Sequence, residues 1–300
     1  MHGGEEDRRQ AAQAYRPFPR DRVREVFERA VFAELVPRLI REAGGGRLLD
    51  LGSADGLVAD LAGTELEHYL GVDLHPPETK TAAGDFVAHD LREGLGPVGE
   101  EPFDVYLASF GVASHLTPAQ LRYLLESIAA HGRPGSIVAI EALGLFSLEW
   151  PKLWETRVGD ERSLPYRLGG EVQVHPWATG ELFAVFEAAG ISPQRALDRT
   201  VQAGPKLGGE RYWPGLPPVR DGLNRLLDGY ADGAEALSAP LPPLPAHPAS
   251  AVHHKLAARR RSVVRRLRGR APRAVAQEVW NLEPASGGGF GHGLLVLGHL

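Results

Sequence analysis

Three aspartates follow short apolar runs early in the chain: Asp50 in LLDLGSADG, Asp73 in YLGVDLHPP and Asp90 in FVAHDL. An ionised carboxylate only accepts hydrogen bonds, so each can take them from a ligand's hydroxyl or amino groups. Each also repels phosphate. The first is followed at once by a glycine turn from Gly52 to Gly56, where bare backbone can approach a ligand closely. A dinucleotide fingerprint needs G-x-G-x-x-G, but counting from Gly52 its second and third glycine positions hold Ala54 and Leu57. No Gly-Lys-Ser/Thr ending marks a P-loop, and no Gly-x-Ser-x-Gly marks a hydrolase nucleophile. An acidic, glycine-turned site is better matched to a ligand carrying positive charge. Singly, each acid has an ordinary use: Asp50 can cap a helix, and Asp73 stands ahead of Pro76-Pro77, where turns favour aspartate. Three in order, each closing a strand-like run, point to a ligand instead.

Proton transfer has its own candidates. His115, in FDVYLASFGVASHL, lies just beyond a fourth apolar run and is the leading general base. Its structural alternatives are to cap the helix starting at Thr117 or to pack in the core. His175, ahead of Pro176 and Trp177, is the second candidate, and His292, before the last strand, a weaker third. Glu141, at the end of a fifth run, could hydrogen-bond an acceptor or bind a metal. One carboxylate without partners is poor ground for a metal, and none is expected. The chain has no cysteine, which excludes disulfides, thiolate zinc sites and a cysteine nucleophile. Trp150, Trp154, Trp177 and Trp213 fall in later segments read as a cover over the site. An aromatic-lined pocket suits a medium-sized organic molecule, although the same rings also serve as core.

The elements that must hold these residues are legible from periodicity. Apolar residues at three- and four-residue steps predict a helix from Asp21 to Ala43, stopped by Gly44-Gly45-Gly46. Strands are expected at 47–51, 68–72, 86–88, 103–108, 136–140, 194–201 and 293–300. Helices are expected at 55–62, 117–131, 179–189 and across 251–281. The alternation of strand and helix implies an α/β fold, a doubly wound, mostly parallel seven-stranded sheet with helices on both faces. Residues 204–250 are rich in proline and glycine, so 204–285 reads as a helical insertion before the last strand. The expected organisation is an N-terminal helical lid (1–43), a core (44–203 and 286–300) and an insertion forming a substrate cover (204–285).

At this point the sequence resembles class I S-adenosylmethionine-dependent methyltransferases. Their first motif runs acid-x-Gly-x-Gly-x-Gly, and here it reads Asp50-Leu51-Gly52-Ser53-Ala54-Asp55-Gly56. Ala54 replaces the middle glycine, which a negative φ at that residue would accommodate. The resemblance implies a Rossmann-like methyltransferase fold, an enzyme, and S-adenosylmethionine as cofactor. It places Asp50, Gly52, Ser53, Ala54 and Gly56 in the cofactor turn, Asp73 on the ribose hydroxyls with Leu74 beside it, and Asp90 on the adenine amino group with Leu91 beside it. Ser109, Phe110 and Gly111 would floor the methionyl group and the transferred methyl. The resemblance covers 48–143 well, 175–201 moderately and the final strand, and nothing in 204–285. Methyl transfer from a sulfonium rests chiefly on orientation, worth on the order of 7–11 kcal/mol at best. A base such as His115 or His175 is needed only when the acceptor is protonated at working pH.

Composition narrows the partners. The 300 residues carry a net charge of −5, unlike a molecule built throughout to hold a polyanion. Between Lys255 and Arg273, however, stand nine lysine or arginine residues and no acid. That stretch is either a solvated amphipathic helix or a contact for an anionic substrate, RNA or membrane surface. No apolar run approaches the roughly 20 residues of a transmembrane helix, and the start, MHGGEEDRRQ, lacks the apolar region of a signal peptide. A cytoplasmic enzyme is the expectation. The favoured reaction is methyl transfer to an oxygen or nitrogen of a small organic acceptor, with nucleic acid disfavoured and the oligomeric state open. The rivals are an RNA or protein methyltransferase using the basic stretch, and a non-catalytic binding or regulatory protein on the same fold.

Overall fold

A computed structural model describes residues 21–54, 56–76, 84–157, 162–167, 171–206, 212–284 and 286–300. Asp55 of the glycine motif, Pro77 of the proline pair and the first twenty residues lie outside the described residues. The strands are β1 (Arg47–Leu51), β2 (His68–Asp73), β3 (Asp85–Ala88), β4 (Val105–Ala108), β5 (Ile137–Leu143), β6 (Leu164–Arg167), β7 (Glu171–Val174), β8 (Ser192–Arg199) and β9 (Gly293–His299). The α-helices are α1 (Arg29–Ala43), α2 (Leu57–Ala62), α3 (Pro118–His131), α4 (Thr179–Ala188), α5 (Val219–Leu227), α6 (Gly233–Ser238), α7 (Pro248–Arg266) and α8 (Pro272–Trp280).

Seven strands form one sheet in the order β3-β2-β1-β4-β5-β9-β8. β1 to β5 pair in parallel, and β9 runs antiparallel to both of its neighbours. This is the doubly wound, mostly parallel α/β sheet the periodicity predicts. Successive strand residues alternate between two covered faces. On one face Leu48, Val105, Leu107 and Leu295 meet Phe32, Leu35 and Leu39 of α1. On the other, Leu49, Leu51, Tyr106 and Ala108 meet Leu121 and Leu125 of α3 and Phe186 of α4. Burying such a side chain fully contributes roughly 1.5–3 kcal/mol, which is why these runs read as continuously apolar. α1 stops at Gly44, whose φ of +71° makes the left-handed turn that glycine favours at a helix end. α3 begins with a capping box between Thr117 and Gln120 and with Pro118 in its first turn.

Several details depart from the periodicity. The segment 144–178 contains the hairpin β6–β7, whose four-residue strands are too short and polar to signal themselves. Two helices, α5 and α6, lie within the proline- and glycine-rich segment. The basic stretch is broken between α7 and α8, with Gly269 at φ +82°. Arg260 of that stretch turns inward and donates to the carbonyls of Leu237 and Gln202, while Lys255, Arg259, Arg265 and Arg266 are exposed. A π-helical turn, Arg24–Glu28, leads into α1. Its Phe27 stacks on Trp280 of α8 with ring centres 4.8 Å apart, and Val23 and Phe27 join Leu223, Leu226 and Val275 in a separate apolar cluster. No helix among the described residues is long and apolar enough to cross a membrane.

Candidate active site

The chain places β2 and β3 on one side of β1, then returns to place β4 and β5 on the other. In an open parallel sheet, such a reversal opens a crevice beyond the carboxyl ends of the two central strands. Here those ends carry the turn from Gly52 to Gly56 after β1 and the segment Ser109 to Gly111 after β4.

Gly52 has φ +75°, and a Cβ there would sit 2.5 Å from Cγ2 of Val112. Only glycine fits. Its N–H and that of Ser53 donate to the carbonyl of Val72, at 2.7 and 3.2 Å. The Ser53 hydroxyl is buried with no hydrogen-bond partner. Ala54 has φ +45°, so the negative φ under which its methyl group would be accommodated is not adopted. The reason lies across the sheet, where the Ala54 N–H donates to Oδ2 of Asp73 at 2.9 Å. Oδ1 of Asp73 accepts from the N–H of His75 at 2.8 Å. Each of these oxygens retains acceptor capacity, since a carboxylate offers about four lone-pair positions. Leu74 follows, half-buried. Gly56, at φ +77°, leaves room for the Phe86 ring, which an added Cβ would meet at 2.8 Å.

Asp50 is buried beneath this turn, with Oδ2 accepting from the Tyr69 hydroxyl at 2.8 Å. The bond ties β1 to β2. Asp90 accepts from the N–H of Arg92 at the start of a short 3-10 turn that includes Leu91. The Arg92 guanidinium grips both of its oxygens, at 2.6–3.0 Å. Partial burial pushes the Asp90 carboxyl up, but the hydrogen bonds and charge of Arg92 outweigh it and hold its pKa below the ordinary value. Most of its acceptor capacity is thus turned toward Arg92.

Past β4, Ser109 is buried, and Phe110 and Gly111 both adopt left-handed backbone, at φ +56° and +84°. For phenylalanine this conformation is strained and needs support. Glu141, buried at the end of β5, supplies it by accepting the Phe110 N–H. Its other oxygen accepts from Nε of Arg199 at 2.8 Å. Both Glu141 oxygens are engaged in holding the floor of the crevice.

The histidines fall into two groups. His115 closes a 3-10 turn after β4, and Thr117 rather than His115 caps α3. Burial pushes its imidazole down to about 4, so it is neutral at pH 7. The backbone N–H of His175 donates to the carbonyl of Ser114 at 2.8 Å, which brings the two favoured histidines to one end of the sheet. His292 has a different setting. Its Nδ1 lies 2.5 Å from Oε2 of Glu149, whose Oε1 accepts the Lys206 N–H at 2.7 Å. Glu149 and His292 line a small cavity with Thr200 and Phe290. The tryptophans anchor packing: the Nε1 groups of Trp150, Trp154 and Trp213 donate to the carbonyls of Gly144, Ser147 and Pro243.

Arg199 and Glu149 were not visible as site residues in the sequence, although His292, the partner of Glu149, was the third histidine candidate. Arg199 ends β8 at the same end of the sheet as the three acids, so the strand-end criterion that found them would have found it too. The Glu149–His292 pair is separated by 143 residues and has no local signature.

No protein-family profile matches the chain, and no curated protein matches it. Among solved structures, it is similar to a methyltransferase from Archaeoglobus fulgidus described as SAM-dependent (16% identity, 92% of this chain and 97% of that one, TM-score 0.46). It is also similar to a chain in a complex of the Haloferax volcanii Trm112 methyltransferase activator with a putative methyltransferase (15% identity, 98% and 96%, TM-score 0.47). A third is SAM-bound CalS10 of Micromonospora echinaspora, an amino pentose methyltransferase (21% identity, 57% and 84%, TM-score 0.41).

Proposed function

We propose that this chain is an S-adenosylmethionine-dependent methyltransferase acting on an oxygen or nitrogen of a small organic acceptor. The observation that carries the reading is the switch-point crevice, with the glycine turn clamped to Asp73 on one side and the Ser109–Gly111 floor on the other. The residues fit the cofactor. Gly52, where a Cβ would collide with Val112, keeps the turn after β1 free of side-chain bulk. Ser53 brings a buried hydroxyl without a partner. Asp73 has lone pairs left for both ribose hydroxyls. Leu74 and Leu91 would flank the adenine, and Asp90 would receive its amino group with the capacity Arg92 leaves. When bound, S-adenosylmethionine supplies a methyl group activated by a positively charged sulfur.

The chain's own contribution is orientation, exclusion of water and, for a protonated acceptor, removal of a proton. The π-turn, packed against the helices between β8 and β9, would form with them the cover over the acceptor. His115, neutral at pH 7, can take a proton at an imidazole nitrogen. A second base is favoured by a specific contact, since Glu149 on Nδ1 of His292 would stabilise the imidazolium formed by proton uptake at Nε2. A base whose conjugate acid titrates near the working pH contributes roughly 10²–10⁴-fold, and His115, held at about 4 by burial, would contribute less than that.

The test is thermal unfolding with and without S-adenosylhomocysteine, for wild type and Asp73→Ala. A native-state ligand at a hundredfold excess over its Kd adds about 2.7 kcal/mol, which raises Tm by several degrees. The shift is expected in wild type and reduced in Asp73→Ala. No shift in wild type at millimolar ligand would put the non-catalytic reading first.

A further inference from the structure

The Arg199 guanidinium is the least expected group beside the crevice. It belongs to β8, at the far edge of the sheet, yet it reaches across β9 to Glu141 of β5 and lies 4.1 Å over the ring of Phe32. Its side chain is only 9% exposed. Nε is satisfied by Glu141, but Nη1 is buried with no hydrogen-bond partner. A guanidinium N–H buried without a partner is costly, and a carboxylate is the group its planar fork fits best. Arg199 also stands 5.5 Å from the centre of the Phe110 ring, and Arg24 of the π-turn approaches the same ring at 5.1 Å. Arg24 has no ion-pair partner among the described residues. Two cations therefore flank the residue whose backbone floors the crevice, and only Arg199 is matched by an acid there, through Glu141.

We infer that Arg199, seconded by Arg24, binds the α-carboxylate of the cofactor's amino-acid end. This rests on the methyltransferase reading above. Glu141 is then a positioning residue, since one carboxylate fixes both the Phe110 backbone and the Arg199 guanidinium. An acceptor carboxylate would satisfy the same fork, and the two sources are separable by ligand choice.

The experiment measures dissociation constants by calorimetry for S-adenosylhomocysteine and for 5′-methylthioadenosine, which shares the adenosine and thioether but lacks the α-carboxylate and amine. Wild type is expected to bind S-adenosylhomocysteine at least about tenfold more tightly, as loss of a charge-assisted contact implies. Arg199→Gln is expected to abolish most of that preference while binding of 5′-methylthioadenosine stays within about twofold. The second ligand reports on the adenosyl half of the site. If Arg199→Gln loses it, Arg199→Gln/Glu141→Gln, which leaves no unmatched buried charge, takes its place. A preference unchanged in the variant overturns the inference and leaves the methyltransferase reading standing. Loss of both ligands together in both variants assigns Arg199 to the scaffold and also overturns it. Wild type that binds neither ligand overturns both readings.

Discussion

The N–H of Ala54 donates to Oδ2 of Asp73 at 2.9 Å, tying the turn after β1 to the end of β2. The bond holds Ala54 at φ +45°, a conformation that costs a residue with a Cβ about 1–2 kcal/mol. Glycine would remove that cost but lose more chain entropy on folding, about 0.4–1 kcal/mol. Ala54→Gly is therefore expected to stabilise the protein by roughly 0.5–1 kcal/mol in urea unfolding, with S-adenosylhomocysteine binding kept. A loss of stability would mean that the clamp does not strain Ala54.

Asp198 of β8 organises the glycine-rich segment ahead of β9. It accepts from the Ser286 hydroxyl and from the N–H groups of Gly288, Gly289, Phe290 and Gly291, at 2.8–3.3 Å. A buried N–H without a partner costs about 1–3 kcal/mol. Asp198→Ala is expected to cost about 3–5 kcal/mol in urea unfolding, and Asp198→Asn, which keeps one acceptor oxygen, about half as much. Because this segment carries Phe290 and His292 of the cavity wall, amide exchange at 288–291 should quicken in both. A cost below about 1 kcal/mol for Asp198→Ala would show that solvent replaces these bonds.

What was legible in the sequence follows from which forces are local. β1, β4 and β5 are buried on both faces, so Leu48–Leu51 and Ile137–Ile140 read directly as strands, and their order gives the sheet and its crevice. Asp73 was legible because it closes such a strand. The φ of Ala54 was not legible, because a hydrogen bond to a residue of the neighbouring strand decides it rather than the residue's own preference. The β6–β7 hairpin has too few residues for alternation to stand out, and α5 hides among prolines. Least visible were buried polar contacts between distant segments. Glu28 and Arg220 are 192 residues apart and meet only because the π-turn packs under the helices between β8 and β9.

Two buried groups set opposite pH trends. His253 of α7 is pushed down to about 4 by burial, aided by the charges of His254 and Arg260, against the pull of the Phe146 carbonyl. Unfolded, it titrates near 6.5, so stability falls as pH drops from about 6.5 toward 4. Glu283 is pushed up to about 7 by burial, against hydrogen bonds from the Gln202 and Val201 N–H groups. Unfolded, it titrates near 4.5, so its contribution falls as pH rises from about 4.5 to 7. Each limb is of order 3 kcal/mol. Urea unfolding from pH 4 to 8 should show His253→Gln flattening the acid limb and Glu283→Gln flattening the neutral one, whatever each does to absolute stability. A slope unchanged in either variant would assign that limb to other groups.

Arg220 of α5 is the buried cation that joins the N-terminal turn to the cover. Its Nη1 donates to Glu28 at 2.9 Å and its Nη2 to Asp21 at 2.6 Å. Burial alone would raise the Glu28 carboxyl, but the Arg220 and Lys206 cations hold it well below the usual carboxylate range. Its stabilising contribution is thus present above the unfolded value near 4.5 and lost as pH falls below it. Removing one partner of such a pair leaves an uncompensated charge and costs about 3–5 kcal/mol, whereas removing both charges can be nearly neutral. Arg220→Met is expected to lose that much in urea unfolding at pH 7, and adding Glu28→Gln to recover at least about 1 kcal/mol of it, since Asp21 remains. Simple additivity of the two substitutions would show that Glu28 and Arg220 do not couple. Coupling would show that the turn bearing Arg24 is held onto the cover by charge as well as by the stacking of Phe27 on Trp280.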